Sequence, residues 1–566
     1  MQIIKSVITL AIFFYPITIF AQTTYVPEGS KEYHIIDRME IKQGKNTDIN
    51  FSTLKPYSRR AIVQEAEYID SVNRESDSLT TDAQEENSGS NLSQVDQYNL
   101  HSLLMDNSEW VSGSKESFLS KNPIWKTFYV TKPNLLEVDT KDFFLAVNPV
   151  INFQVGSESG NNQNLFINKR GVTVRGRIAN KIGFSSTVSE NQERGPSFFE
   201  DRVNEFHAVP GVGFYKNFKK NAFDYFDARG YVTFGVTKYI DVQFGYDKNF
   251  IGDGYRSLFL SDDANSYLFL KLNTKIWKFD YENLFMELMP QFLKSGDNLL
   301  DRKYAAMHHL SMNVTKWLNL GLFESITFGR KSYFDFEYLN PIIFLRYAEG
   351  DVGSPDKAHV GFDFKANVAH HFQFYGQFLL DEFLLKEIAK NNGYWANKYG
   401  FQIGAKYIDA FNIENLDLQI ESNRVRPFTY SHYDSVSNYT HYNQMLAHPL
   451  GANFQEWIGI LKYQPAPKWY VDARAIYYYQ GLDSAGINFG SNPFELYQTR
   501  SNDFGYFVGS GRKVQCVNAS LTLSYELKEN LFIDGNLLFR KYTDLPNSSI
   551  FNIGIRWNAA RREYNY

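Results

Sequence analysis

Any chemistry this chain carries on single side chains must come from a few short clusters. His308-His309-Leu310-Ser311 sets His309 and Ser311 two residues apart, so in a strand they share a face, the minimum a Ser–His hydrolase needs. Sharing a face is common in strands, and the signal is weak. Asp381 and Glu382 are adjacent, so in a strand they point to opposite faces and cannot form the facing carboxylate pair of a glycosidase by themselves. Gly252-Asp253-Gly254-Tyr255-Arg256-Ser257-Leu258 resembles a phosphate cradle only superficially, because no GK[ST] and no helix N-terminus follows. It reads as a tight loop whose glycines allow positive φ; the alternative is that Arg256 projects inward to grip a carboxylate or sugar acid. Arg424, Arg426, Tyr430, His432, His441 and His448 fall in one connection, but their spacing matches no ligand motif and predicts surface histidines. Cys516 is the only cysteine, which excludes an intrachain disulfide and a cysteine-based zinc cluster. No cofactor or metal is implied.

Two other uses remain for such residues. Phe328-Gly329-Arg330, Asn340-Pro341 with Arg346, Asp381-Glu382 and Trp395-Ala396-Asn397-Lys398 put opposite charges where strands end and loops begin, a pattern that predicts ion pairs pinning loops. Sugar binding needs aromatic platforms beside hydrogen-bonding groups, and Tyr394, Trp395, Tyr430, His432, Tyr439 and Tyr442 supply them. The candidate glycan-binding or loop-anchoring set is Asp253, Tyr255, Arg256, Arg330, Arg346, Asp381, Trp395, Lys398, Arg426, Tyr430, His432 and His448.

The elements that position these residues are strands. From Asp142 to Trp557, segments of roughly ten residues alternate apolar and polar side chains between turns. Val360-Gly361-Phe362-Asp363-Phe364-Lys365-Ala366, 401–407, 416–421 and 551–557 show the pattern well, with one face suited to lipid and the other to water. An inward charge on strand after strand would be costly in a dry core and costs little in a wet lumen. Arg175, Arg177, Lys365, Lys406, Asp417, Glu421, Asp472 and Arg474 are the expected lumen-lining charges. About eighteen antiparallel strands can be laid out, joined alternately by short turns such as Lys238-Tyr239-Ile240 and 465–468 and by long connections near 250–262, 330–356, 426–450 and 482–511. In transmembrane barrels the short turns are periplasmic and the long loops extracellular. A secreted propeller or tandem sandwiches would also use many strands, but neither calls for one apolar face on almost every strand without a second layer.

Composition agrees. A mean hydropathy of -0.39 fits a membrane protein only if half of each strand is polar. Aromatics make up 17%, with 38 Tyr and 48 Phe, as interfacial girdles require. The net charge of -5 is too small to imply nucleic acid. Residues 1–21 have the pattern of a signal peptide, and residues 22–141 have a helical rhythm that predicts a small helical periplasmic domain with a polar linker at 74–91. Ser30 is the expected cap of a helix running toward Gly44, and Ser93 the start of another carrying Val95, Leu100, Leu103 and Leu104.

The stretches GDGYRSLFLSD (252–262), LNTKIWK (272–278), FEYLNPIIFLRYAEGDVGSPDKAHVGFDF (336–364), YGQFLLDEF (375–383), GYWANKYGFQIGAKY (393–407), NRVRPFTYSH (423–432), HPLGANFQE (448–456) and Val26 to Lys42 resemble those of Wzi-type capsule-assembly outer-membrane proteins, and more narrowly a gliding-motility branch of that group. The resemblance implies an eighteen-stranded outer-membrane barrel with a periplasmic helical bundle and extracellular loops that attach or organise exopolysaccharide. Its matches are loop-architecture motifs, so no residue role transfers with them. The expected partners are outer-membrane lipid, surface polysaccharide and motility or surface-adhesion proteins. The expected function is a non-enzymatic surface protein that binds exopolysaccharide and contributes to gliding or surface spreading; the alternative is a diffusion channel for small or sugar-like solutes.

Overall fold

Alternation along the chain becomes alternation across a closed wall. The computed structural model describes residues 23–45, 52–78, 92–179, 181–290, 299–330, 333–353 and 355–566; the expected signal peptide and most of the expected polar linker lie outside the described residues. Eighteen antiparallel strands form one closed barrel. They are β1 (Phe143–Glu158), β2 (Leu165–Ile178), β3 (Ile182–Arg194), β4 (Ala222–Gly235), β5 (Ile240–Asp247), β6 (Tyr267–Ile276), β7 (Phe279–Leu288), β8 (Lys303–Asn313) and β9 (Leu318–Phe328). The second half comprises β10 (Lys357–Val368), β11 (Phe372–Glu382), β12 (Lys398–Tyr407), β13 (Leu416–Val425), β14 (Phe454–Ala466), β15 (Trp469–Leu482), β16 (Arg512–Lys528), β17 (Leu531–Tyr542) and β18 (Ser548–Trp557). The last strand closes on the first, with Ile555 opposite Phe153 and Ile553 opposite Val155.

Closure removes both sheet edges, so every strand finds its hydrogen-bond partners within the wall, as a hydrocarbon surrounding demands. In β12 the outward Phe401 and Ile403 are exposed while the inward Gln402 and Lys406 are buried. Around the barrel the exposed side is Leu, Ile, Val and Phe, and at the short-turn end Tyr239, Trp277, Trp317, Phe411 and Trp469 form an aromatic ring. No helix among the described residues is long and apolar enough to cross a membrane; the strands form the membrane-spanning surface.

The helical segment does not stand apart from this wall. Helices α1 (Glu32–Gln43), α2 (Arg59–Ser78) and α3 (Gln94–Asp106) share a small core of Ile35, Ile36, Met39, Ile62, Val63, Ala66, Leu100 and Leu103. Ser93 caps α3 through a complete capping box with Asp96, as its sequence predicts. The expected Ser30 cap of α1 is not formed: the N-cap position is Lys31, and its ammonium is held by Glu526 (2.6 Å) and by Glu529 at the β16–β17 turn. The module sits in the short-turn mouth of the barrel.

Two further segments enter the lumen. Residues 248–266 fold inward after β5, and Phe250 and Ile251 pair with Lys55 and Leu54, so the loop meets the chain between α1 and α2. The tail after β18 turns back inside: Arg561 reaches Asp472 at 2.9 Å, Arg562 reaches Glu193 at 3.0 Å, and Tyr566 packs its ring near Phe198 of α4 (Ser197–Phe206). The lumen is therefore not uniformly polar and wet. Beside β6–β11 it holds an apolar core in which Phe259 stacks on Phe323 at 4.4 Å with Leu258, Leu260, Phe269, Met307 and Leu379 around them.

Candidate functional site

The first candidate site is the seal between the wall and its inserts. Each of the eight expected lumen-lining charges is engaged by an inserted residue rather than by open solvent. Arg175 donates to the Asp106 carbonyl (2.8 Å) and lies 3.3 Å from the Glu109 carboxylate, and Arg177 donates to the Glu109 carbonyl (3.3 Å). Lys365 pairs with Glu40 (2.9 Å) and stands 3.6 Å from Asp253; Lys406 pairs with Asp37 at 2.8 Å. Asp417 holds Arg38 and, at 3.0 Å, His34. Glu421 accepts the backbone N–H groups of Tyr255 (2.7 Å) and Arg256 (3.1 Å). Asp472 takes Arg561 (2.9 Å) and Arg474 takes Glu563 (2.5 Å). These inward charges are tolerated because opposite charges and amides are brought to them, which corrects the wet-lumen reading.

Burial works to lower the Lys31 ammonium, but Glu529 and Glu526 outweigh it and hold it well above its ordinary value. Between the inserts and β14–β18 a chamber of about 580 Å³ remains, lined by Arg229, Lys248, Lys462, Asp534, Arg556 and Arg561 among others. A second chamber of about 240 Å³ shares Arg229, Lys248 and Arg556 with it.

The GDGYRS loop belongs to this seal. Gly252 has a φ of 157°, whereas Gly254 is required by space, since a Cβ there would run into the Glu421 carboxylate. Asp253 accepts from Thr53 (2.8 Å), the Tyr255 hydroxyl donates to Glu563 (2.8 Å), and Arg256 reaches Glu456 at 3.3 Å and the Asn565 carbonyl. His448 meets the same Glu456 at 2.8 Å. Arg256 is thus consumed inside the protein.

The second candidate site lies at the long-loop end. There the 385–397, 426–453 and 482–511 connections meet around Trp395. Its ring lies 4.8 Å from Tyr497, the Arg500 guanidinium sits 3.7 Å over it, and the Trp395 backbone N–H donates to the Asp503 carbonyl (3.0 Å). Tyr394 packs on Phe504 (5.5 Å), His432 on Tyr433 (4.2 Å), and the Lys398 ammonium is 4.1 Å from the Tyr497 centroid and 3.2 Å from Glu382. Tyr433, Phe504 and the Asp503 carboxylate are exposed. Burial first, then the neighbouring Lys357 and Lys398, pushes the His432 imidazole down to about 4, so at neutral pH it is an uncharged partner. Arg426 ties this face together by donating to the carbonyls of Asn397 (2.6 Å), Tyr394 (3.3 Å) and Tyr506 (3.0 Å).

Other members of the predicted set are placed elsewhere. Tyr430 and Tyr439 are not platforms: both are 2% exposed, and their hydroxyls donate to the Leu258 and Phe259 carbonyls at 2.9 and 2.6 Å. Burying a tyrosine requires a partner for its hydroxyl, and the inserted loop supplies it. Asp381 accepts from Lys357 (2.5 Å) and from the Tyr430 N–H (3.1 Å), and Arg330 forms a two-pronged pair with Asp356 at 2.8 and 2.7 Å. Arg346 is half exposed and pairs with Glu349 of its own helix (2.8 Å). His432, His441 and His448 are all buried rather than surface groups. Ser311 donates to Asn319 (2.8 Å) and His309 pairs with Asp363 (2.8 Å), so the structure does not bring His309 to Ser311. Among the described residues no group of three or more His, Cys, Asp and Glu side chains could hold a metal ion.

Sequence reasoning missed Tyr497, Arg500, Asp503 and Phe504, which lie about a hundred residues from Trp395 with no local motif, and the tail residues Arg561 to Tyr566. For the tail a signal existed, because Arg-Arg-Glu follows the last alternating strand where no further strand is needed.

The fold and these two sites define a class: a membrane-spanning, closed eighteen-stranded antiparallel barrel whose lumen is occupied by its own chain. No family model matches the sequence, and no curated protein matches it. Among solved structures the chain is similar to Wzi of Escherichia coli, an outer membrane protein involved in group 1 capsule assembly and a carbohydrate-binding β-barrel. The identity is 12%, covering 95% of this chain and 100% of that one with a TM-score of 0.57, a likeness that carries the fold. OprD of Pseudomonas aeruginosa matches at 10% identity, covering 73% and 94% of the two chains with a TM-score of 0.40. OccK8 (OprE) of the same organism matches at 8% identity, covering 74% and 98% with a TM-score of 0.42.

Proposed function

We propose that this chain is a non-enzymatic outer-membrane anchor whose long-loop face is extracellular and binds or organises surface polysaccharide, with the helical module on the periplasmic side. The observation that carries the reading is the Trp395 cluster: half-buried aromatic rings with Arg500, Lys398, Asp503 and Glu382 beside them, at the long-loop end of a barrel filled by its own chain. Sugar rings offer apolar faces edged by hydroxyls, which such a surface matches on both counts. The likeness to a carbohydrate-binding barrel supports the same reading. The narrower resemblance to the gliding-motility protein RemB suggests that the bound polymer serves surface spreading, with motility or surface-adhesion proteins as partners.

The test pairs purified protein with cells. Polysaccharide from the native surface is expected to bind the full chain, with affinity falling about tenfold in Trp395→Ala. A deletion strain is expected to lose spreading or retained polysaccharide. Normal spreading, normal polysaccharide and no glycan binding together would overturn the reading.

The chamber of about 580 Å³ favours a second reading, a diffusion channel for small or sugar-like solutes. A stable open conductance of the native protein in planar bilayers would support it, and silence would favour the anchor.

A further inference from the structure

Residues 333–353 of the connection after β9 do not fold over the barrel mouth; they drape down the outer wall. Outward-facing Phe285, Ala306, Ile326, Phe328 and Ala358 of β7–β10 are all buried, under Tyr338, Leu345 and Ala348 of the connection. Phe328 packs on Phe334 at 5.1 Å and on Tyr338 at 4.7 Å. Arg330 and the Tyr338 hydroxyl both hold Asp356, stapling the two ends of the segment together.

The wall beneath is built for this cover. One row of outward positions reads Asn283, His308 and Glu324, register neighbours on β7, β8 and β9, where a lipid-facing barrel should be apolar. His308 meets Glu324 at 2.8 Å, and the other Glu324 oxygen accepts the Leu345 N–H (2.9 Å) at the start of α5 (Leu345–Asp351). The row above reads Phe285, Ala306, Ile326 and Ala358, and its two alanines make room for the segment. One step toward the turns, Leu322 and Phe362 face outward and exposed again.

Depth follows from strand geometry. Glu324 lies six residues above Leu318, just past the Trp317 of the turn-end aromatic ring. At about 3.3 Å per residue and a tilt of about 40°, that is roughly 15 Å up an apolar band about 25 Å tall. The Leu345 end of the segment therefore lies about 10 Å inside the far boundary of that band. The large side chains it turns outward are apolar: Phe336 is 81% exposed, Ile342 87%, Phe344 52% and Tyr347 69%, while the exposed Glu337, Asn340, Arg346 and Asp351 stand between and beyond them.

We propose that residues 333–352 form a lateral lobe immersed in the leaflet at the long-loop end, with lipid acyl chains as the occupant of its Phe336, Ile342, Phe344 and Tyr347 face. Acyl chains fit because the face is continuous with the lipid-facing wall at Leu322 and Phe362 and lies at the same depth. The polar row is kept from lipid by the lobe itself.

The experiment places a nitroxide on Ile342→Cys or Phe344→Cys in the full chain in liposomes, with Leu322→Cys as the wall reference and Ser501→Cys as the water reference. The native Cys516 is buried and stays unlabelled. Positions 342 and 344 are expected to match 322, with high collision with oxygen and at least fivefold lower collision with a water-soluble nickel chelate than at 501. Nickel collision equal to that at 501 would overturn the proposal by standing the lobe in water. Low collision with both probes would overturn it by showing a protein cover. If 322 itself behaved like 501, the membrane-spanning wall would fall together with the lobe, whereas failure at 342 and 344 alone leaves the wall and the polysaccharide reading intact.

Discussion

Arg38→Ala is expected to unseat the α1–α3 module while leaving the barrel closed. Arg38 is 2% exposed, and its guanidinium serves Asp96 and Asp409 at 3.0 Å each as well as Asp417. Removing the cation leaves three carboxylates close together, with Lys42 on Asp96 and Asp409, and His34 and the register neighbour Lys462 beside Asp417, to answer them. Breaking a buried pair from one side costs about 3–5 kcal/mol, chiefly because the remaining charge is stranded. Every 1.4 kcal/mol is tenfold, so the population with α1 detached rises by roughly a hundred- to several-thousand-fold. The barrel ladders do not include Arg38, so the wall is expected to keep its melting behaviour. Hydrogen exchange reads the change directly: amides of α1 lose protection by that factor while those of β12 and β13 do not. In planar bilayers the variant is expected to show openings that the native protein lacks. Unchanged α1 exchange in a folded Arg38→Ala protein would refute the idea that wall contacts hold the module in place.

Acid is expected to act on the same contacts. Burial opposes ionisation of Asp37, but Lys406 and Lys55 outweigh it and hold the carboxyl below its ordinary value; for Asp409, Arg38 and Lys42 likewise outweigh burial. A depressed carboxyl contributes its stability above the unfolded value and loses it as pH falls through the folded one, so the module is expected to stay seated at about pH 4 and above and to loosen below it; equal protease resistance at pH 7 and pH 2.5 would contradict this. Replacing Arg561 and Arg562 with alanine strands Asp472 and Glu193 and is expected to free the tail, so that carboxypeptidase removes the last residues at least tenfold faster than in the native chain. Arg330→Ala removes the two-pronged hold on Asp356, worth about 1.5–3 kcal/mol for a charged hydrogen-bonded pair, and is expected to open 333–352 to protease in detergent without shifting the melting of the barrel.

Alternation made the wall legible because period two is a local property: 360–366, 401–407, 416–421 and 551–557 all lie in strands, and the 238–240 and 465–468 turns join their neighbours directly. The same pattern says which side chains point inward but nothing about what meets them. Lys365 and Glu40, or Arg474 and Tyr255, are hundreds of residues apart, and no spacing rule links them. Tyr430 and Tyr439 read as surface platforms because aromatic residues in a long connection serve equally well as platforms or as a core under it; the Leu258 and Phe259 carbonyls decide between the two, and only the folded chain shows them. One non-local feature did leave a trace. His308 and Glu324 break the apolar face of strands whose other outward positions include Ala306, Leu310, Leu320, Leu322, Ile326 and Phe328, and a polar group on a lipid-facing stripe signals that something covers it.

The weak local signals of α1 and the strength of its wall contacts belong together. Among the described residues the hydroxyl of its expected cap, Ser30, has no hydrogen-bond partner, its N-cap Lys31 makes no side-chain capping bond, and twelve residues are marginal for a helix standing alone. What fixes it is a set of contacts to different sectors of the wall: Lys31 at the β16–β17 turn, Asp37 on β12, Arg38 at the β12–β13 turn and on β13, and Glu40 on β10. Ion pairs spread around a ring contribute little net stability once desolvation is counted, but each is strongly penalised if its partner is misplaced, so together they define one rotation and one depth for the helix. An apolar plug in an apolar socket would hold as firmly but could slide. Registered in this way, the segment between α1 and α2 arrives where Leu54 and Lys55 pair with Ile251 and Phe250, and that pairing in turn sets the loop on which Tyr430 and Tyr439 rest. Position is thus passed from the short-turn mouth through the lumen to the connection that carries His432 and Tyr433 at the opposite face.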